Sequence, residues 1–256
     1  MQARRAQPGM EALIARMRGL LEPLEASGDA RRFFLGTYLR TTEAVADQIA
    51  RGEFDDPPWV EVWDIAFAGL YLDALEAWEG SGQVARPWTI ALEATRDPRL
   101  PPLRHLLLGM NAHINYDLPQ ALLAVIGDDE FDDPGTVSRR RADHERIDGI
   151  LAGRVAAEDA ELVKVERPGD RTLLDRLLVP FNQAATRRFL AEARRKVWRN
   201  ATLLSHARRQ DALQARLAEL EGLCARRVSD LSAPGQVLLR LARRGFGVEL
   251  AEDRRR

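Results

Sequence analysis

The stretch Pro101-Pro102-Leu103-Arg104-His105-Leu106-Leu107-Leu108-Gly109-Met110-Asn111-Ala112-His113-Ile114-Asn115-Tyr116-Asp117-Leu118-Pro119-Gln120-Ala121-Leu122-Leu123-Ala124-Val125 decides the reading of this chain. Two prolines at its start suit a helix N-terminus. Leu103, Leu106, Leu107, Met110 and Ile114 recur at helical spacing, which predicts a helix over 101–125, buried on most of its circumference. The same segment carries His105, Asn111, His113, Asn115 and Asp117. A polar group left unpartnered in such a place costs about 1–3 kcal/mol, so the segment is either a satisfied structural network or a site. His113 and Asp117 stand four residues apart, on one face and one turn from each other. From there they can share a metal ion, or Asp117 can orient His113. His105 lies two turns earlier and roughly 80° round the helix, where it borders the same cavity. Pro119 has no N–H for the Asn115 carbonyl, which predicts a kink and frees that carbonyl as one more ligand or acceptor.

Outward from this segment the helical period repeats over about 10–25, 30–51, 58–79, 88–97, 136–153 with a further segment to about 165, 171–178, 181–207, 208–226 and 233–243. Ala, Leu, Arg and Glu dominate, and β-branched runs are scarce. The predicted fold is all-α: a single helical-bundle domain of about eight to ten helices around the buried helix 101–125. The domain is expected over 9–245, with a disordered tail at 1–8 and a frayed C-terminal tail at 246–256. With 45% hydrophobic and 30% charged residues the composition is that of a soluble globular protein. A net charge of −1 gives no drive towards nucleic acid or an anionic membrane. No apolar run approaches the roughly 20 residues of a membrane span, and residues 1–9 lack a signal-peptide core, so the expected location is cytoplasmic. Cys224 is the only cysteine, which excludes an internal disulfide framework and a cysteine-based zinc finger. The chain has no GxGxxG, P-loop, GxSxG or HExxH motif, so no nucleotide or flavin cofactor is expected. The oligomeric state is left open.

Polar residues on the other apolar helices extend the candidate site. Asp64 stands among Val60, Trp63, Phe67 and Ala68, in one stripe with Tyr71. A carboxylate there is costly unless it is paired or metal-bound. His144 and Asp148 repeat the four-residue spacing on 136–153, with Asp143 towards the apolar side marked by Ile147. Arg194, Arg195, Trp198 and Arg199 form a basic, aromatic band that reads as a solvated face with one buried Trp, or as a place to hold a phosphate or a buried carboxylate, the latter by Arg195. The acidic loop 127–135 lacks EF-hand spacing and reads as solvated. The candidate catalytic groups are therefore His113, Asp117, Asp64 and His105. The candidate metal ligands are Asp64, His113, Asp117, His144 and Asp148, with Asn111, Asn115, Tyr71, Asp143 and Arg195 around them.

Two family resemblances attach to these residues. The segments Asp64–Ala68 with Tyr71-Leu72, His105–Asn115 with Asp117-Leu118, Asp143 with Ile147, Ile150 and Leu151, and Arg194–Trp198 resemble a family of helical, mainly actinobacterial proteins of unknown function. That resemblance runs from about 34 to 201 and implies a shared helical fold but no reaction. More distantly, His113–Gln120 is similar to the first HxxxD/E pair of the zinc-dependent phospholipase C and single-strand nuclease superfamily. In that likeness His144 and Asp148 stand for the second pair and Asp64 for the earlier aspartate. The superfamily's N-terminal Trp/His ligands have no counterpart, so the likeness implies a reduced site of one or two metals.

Three readings of function follow. The first is a metal-dependent hydrolase acting on a small molecule, with zinc or another divalent ion lowering the pKa of a bound water. The second is a metal-free lyase or cyclase using His113 and Asp117 as an oriented acid/base pair in an apolar pocket. The third is a non-enzymatic helical binding protein whose polar network is structural.

Overall fold

The computed structural model describes residues 8–147, 179–235 and 237–252. Helix accounts for most of them, and none lies in a strand. The helices are α1 (Pro8–Ser27), α2 (Arg32–Arg51), α3 (Pro57–Glu79), α4 (Arg86–Ala94), α5 (Pro102–Ala112), α6 (Leu118–Val125), the single turn α7 (Asp128–Phe131), α8 (134–147), α9 (Val179–Arg209), α10 (Leu213–Ser232) and α11 (Val237–Arg244). The expected all-α single domain is the fold observed. No helix among the described residues is long and apolar enough to cross a membrane. The helical segments expected from 148 to 178, and Asp148 with them, lie outside the described residues.

The segment 101–125 sits at the centre, in contact with α2, α3, α4, α9 and α10. Leu106, Leu107, Leu108, Ala112, Ile114, Leu118, Ala121, Leu122 and Leu123 are buried along it. It is not one regular helix. Between α5 and α6 the residues His113–Asp117 form a π turn, in which the Leu118 N–H donates to the His113 carbonyl. Pro119 explains the change of winding, because the Asn115 carbonyl lacks its ordinary partner four residues on. Such a turn adds a residue to the circuit and re-aims the side chains within it, and here it contains His113, Asn115 and Asp117.

Two further contacts fix the surroundings. Gly109 lets the Phe34 ring lie against the α5 backbone, since a Cβ there would come within 2.5 Å of that ring. The start of α3 is held by its own N-cap, Asp56, which accepts from the Trp59 N–H at 3.2 Å, and by Asp143 on α8. Asp143 accepts from the Asp55 and Asp56 amides at 2.7 and 2.8 Å.

The C-terminal segment is not frayed over its first residues. Phe246, Val248 and Leu250 are buried, and the extended chain at 246–250 is pinned by three asparagines. Asn111 and Asn115 both donate to the Phe246 carbonyl at 3.0 Å, and the Val248 N–H donates to Asn115 Oδ1 at 3.1 Å. Asn200 on α9 continues the pattern, donating to the Val248 carbonyl at 3.1 Å and accepting from the Leu250 N–H at 2.9 Å. The packed domain therefore reaches Leu250, because carboxamide side chains serve this segment as the edge of a sheet would.

Candidate functional site

The π turn points His113 into an aromatic chamber. Its ring stacks on Phe67 of α3, with centroids 3.6 Å apart and planes 6° from parallel. Tyr38 of α2 meets it edge-on at 4.6 Å. Phe34, Tyr71 and Trp88 complete the enclosure at 5.9, 5.9 and 6.0 Å. Only 3% of the His113 surface is exposed.

One side of the imidazole is fixed and the other is not. His113 Nδ1 lies 2.8 Å from Asp117 Oδ2, and the Trp88 indole N–H donates to the same oxygen at 2.8 Å. The indole can only donate, so with Asp117 ionised its Oδ2 accepts from both rings, which puts the proton on Nδ1 and the lone pair on Nε2. Nε2 is buried and has no partner among the described residues. Burial pushes the His113 pKa below its ordinary 6.5 against the pull of Asp117, so the ring is neutral at pH 7. Burial likewise raises Asp117, while the hydrogen bonds from His113 and Trp88 favour its charged form.

Asp64 lies one turn before Phe67 on α3. Its Oδ2 is buried without a partner, and desolvation raises its pKa from 3.8 to about 7, opposed by the positive charge of Arg194. Asp64 and Asp117 both bear electrostatically on Tyr38, so the two carboxyl groups flank the chamber that holds His113. The Tyr38 hydroxyl and the Thr42 hydroxyl one turn further along α2 are buried and unpartnered as well. Native proteins leave few buried polar atoms unpaired, and their concentration here marks the site.

The other expected residues go elsewhere. His105 stacks on Phe33 at 6.0 Å, with planes 9° apart. It lines a narrow cleft of about 20 Å³ together with Arg31, Phe34, Tyr71, Trp88 and Gly109. The floor of that cleft is the ring layer that encloses His113. Tyr71 joins this layer, meeting Trp88 at 4.8 Å. Asn111 and Asn115 turn to the C-terminal segment rather than to His113. Asp143 is spent on the loop before α3 and on Arg146. Arg195 is exposed, and its neighbour Arg194 is the buried cation. Arg104 is also spoken for, donating to the Leu231, Ala233 and Gly235 carbonyls. His144 is buried between Trp63 and Trp198, at 5.1 and 5.5 Å, with neither ring nitrogen partnered.

Trp88, Phe67 and Tyr38 were not among the expected site residues. No spacing in the sequence links Trp88 to Asp117. The place of Arg194 was legible: it lies four residues before the buried Trp198, whereas Arg195 lies four before the exposed Arg199.

Among the described residues no three His, Cys, Asp or Glu side chains come together, and Asp117 already receives two N–H groups. A separate concavity of about 360 Å³, lined by Lys196, Arg227 and Arg244, lies away from this chemistry. Those cations are engaged: Lys196 with Glu192, Arg227 with the Arg244 and Gly245 carbonyls, and Arg244 with Asp230.

Residues 10–234 match the family of unknown function DUF5995, and the chain belongs to it. No curated protein matches the chain. No solved structure matches it either. The matched region includes the whole His113 site and ends before the segment 246–250.

Proposed function

We propose that the chain acts on a small molecule by proton transfer without a metal ion, with His113 as general base and Asp64 as general acid. The observation that carries this reading is the unpartnered Nε2 of His113, opposite an Nδ1 held by Asp117 and, through it, by Trp88. A neutral imidazole with a fixed tautomer and a free lone pair is the form a general base takes. Asp64, raised to about 7, changes protonation close to neutral pH and is suited to return the proton. The surrounding rings favour an apolar body on the substrate. A base and an acid in a dry chamber suit elimination, isomerisation or cyclisation. They suit metal-assisted hydrolysis less, because the described residues bring no three ligands together.

The enclosure of His113 supports a second reading, in which the chain binds a small molecule without turning it over. Its 3% exposure and the 20 Å³ cleft mean that Phe34 or another ring must swing aside to admit a ligand.

Incubation of the purified protein with pools of small metabolites in deuterium oxide tests the proposal. Mass spectrometry then reads deuterium gained at carbon, alongside substrate conversion. Wild type is expected to label or convert at least one compound, chelator to leave the rate unchanged, and His113→Gln to abolish it. Equal labelling by the folded His113→Gln variant refutes the role of His113. Loss of the activity to chelator returns the case to the metal-dependent reading.

A further inference from the structure

A second group of buried polar atoms stands next to the His113 chamber. His144 is fully enclosed, and neither Nδ1 nor Nε2 has a partner. The rings on its two sides, Trp63 and Trp198, each carry a buried indole N–H that is also unpartnered. The two nitrogens of this imidazole and the indole nitrogens of the two flanking rings are thus four buried ring nitrogens without a partner among the described residues. An indole nitrogen only donates, and a neutral imidazole donates once and accepts once. The group therefore holds three N–H donors and a single acceptor.

Charge narrows the choice of ligand. The buried Arg194 guanidinium donates to the His144 carbonyl and bears electrostatically on both His144 and Asp64. Its engagement leaves it a source of positive potential rather than a free donor. A cationic ligand is disfavoured there. A phosphate or sulfate, with more charge and more oxygens, would exceed what one guanidinium and three N–H groups can balance. A carboxylate fits, since its two oxygens take several N–H bonds at once.

We infer that the Trp63–His144–Trp198 cluster binds the carboxylate of a small organic acid whose apolar body lies along the ring wall of α3. The wall leads to the proposed base: Trp63 stacks on Phe67 at 6.3 Å with planes 8° apart, and Phe67 stacks on His113. Asp64, next to Trp63 in sequence and one turn before Phe67, is buried on the same helix. Calling this acid the substrate rests on the proton-transfer reading; the binding itself does not.

The test titrates the intact protein with acetate and benzoate, and with acetamide and benzamide as uncharged counterparts, by calorimetry and tryptophan fluorescence. Saturable binding of at least one carboxylate is expected, with its amide weaker by about tenfold or more, the scale for replacing a charged acceptor. Trp198→Phe keeps the ring and removes only the N–H; it and His144→Phe should each weaken the carboxylate by about tenfold. His113→Gln should bind it within about twofold of wild type, a difference too small to represent a lost hydrogen bond. Circular dichroism checks that each variant is folded. The inference is overturned if neither carboxylate saturates, if acid and amide bind alike, or if both folded ring variants bind like wild type. It is overturned too if His113→Gln loses the carboxylate as fully as His144→Phe, which would put the anion at His113. Retained binding in His113→Gln without any deuterium labelling by wild type would leave the carboxylate site standing and remove the proton-transfer reading.

Discussion

The two faces of the π turn His113–Asp117 treat their polar groups in opposite ways. On one face Asn115, with Asn111 a turn before it, spends its carboxamide on the backbone of 246–248, donating to one carbonyl and accepting from one N–H. On the other, His113 and Asp117 satisfy each other and Trp88, yet Nε2 of His113 and the nearby Asp64 Oδ2 and Tyr38 hydroxyl go unpartnered. Both faces are buried, so solvent does not explain the difference. Apart from Asn111 Oδ1, the asparagine face accounts for its side-chain polar atoms by folding alone. The histidine face does not, and interior polarity that folding leaves unsatisfied is where a ligand finds its contacts. A change on the asparagine face should therefore cost stability, whereas one on the histidine face can gain it.

The largest effect is expected at Asn115. Asn115→Leu leaves the Val248 N–H without its acceptor and weakens the pairing of the Phe246 carbonyl. With two to three buried hydrogen bonds lost at about 1–3 kcal/mol each, the expected destabilisation is roughly 3–5 kcal/mol. Urea unfolding measures it, and cleavage after residue 245 by a protease should become easier in the same variant. A loss under about 1 kcal/mol, the scale of an ordinary solvent-compensated hydrogen bond, would show that the asparagine face is no keystone.

Asp64→Asn should move stability the other way, and only at high pH. The folded carboxyl is raised from 3.8 to about 7. The unfolded chain therefore gives up this proton first, and stability drains away as pH rises from about 4 to about 7. Above that window the wild type carries a penalty of at most about 4 kcal/mol, and below it none. Asparagine does not ionise. The variant should exceed wild type by about 2–4 kcal/mol at pH 8.5 and match it below pH 4, while losing any turnover that needs the acid. A gain independent of pH would mean that the Asp64 charge is not what the fold bears.

What the sequence disclosed follows the range of its signals. Helical spacing reached along one element at a time. It placed the central segment 101–125, the His113–Asp117 pair within it and the burial of Asp64, because each depends on residues three or four apart. Pro119 pointed to disturbed winding, although a π turn rather than a simple kink resulted. Contacts between elements had no such signal. Trp88 reaches Asp117 across 29 residues, and Phe246 meets Asn111 across 135. The asparagines thus looked like site residues until their partners were visible. The basic tail likewise looked frayed, because its alternating Phe246, Val248 and Leu250 make too short a run to stand out from coil.

The smallest and most diagnostic effect is expected at Trp88. Its indole N–H is one of two donors on Asp117 Oδ2, and the ring also packs on Tyr71 and Phe34. Trp88→Phe keeps an aromatic ring in place and removes the donor, at an expected cost of about 1–2 kcal/mol, moderated because His113 still donates to the same oxygen. The more telling change is in the imidazole. Without the indole, the Asp117 carboxyl loses a bond that favours its charged form, so its pKa climbs further, and the negative charge that keeps the proton on Nδ1 weakens. In protein carrying nitrogen-15 histidine at pH 7, the His113 ring of wild type should show one protonated nitrogen, Nδ1, and one bare nitrogen, Nε2. In Trp88→Phe the two signals should move towards each other as the tautomers mix, and any proton transfer by Nε2 should slow in proportion to the lost population. Signals that stay fixed while stability falls would make Trp88 a packing residue only, with burial and Asp117 alone setting the tautomer on which the histidine face depends.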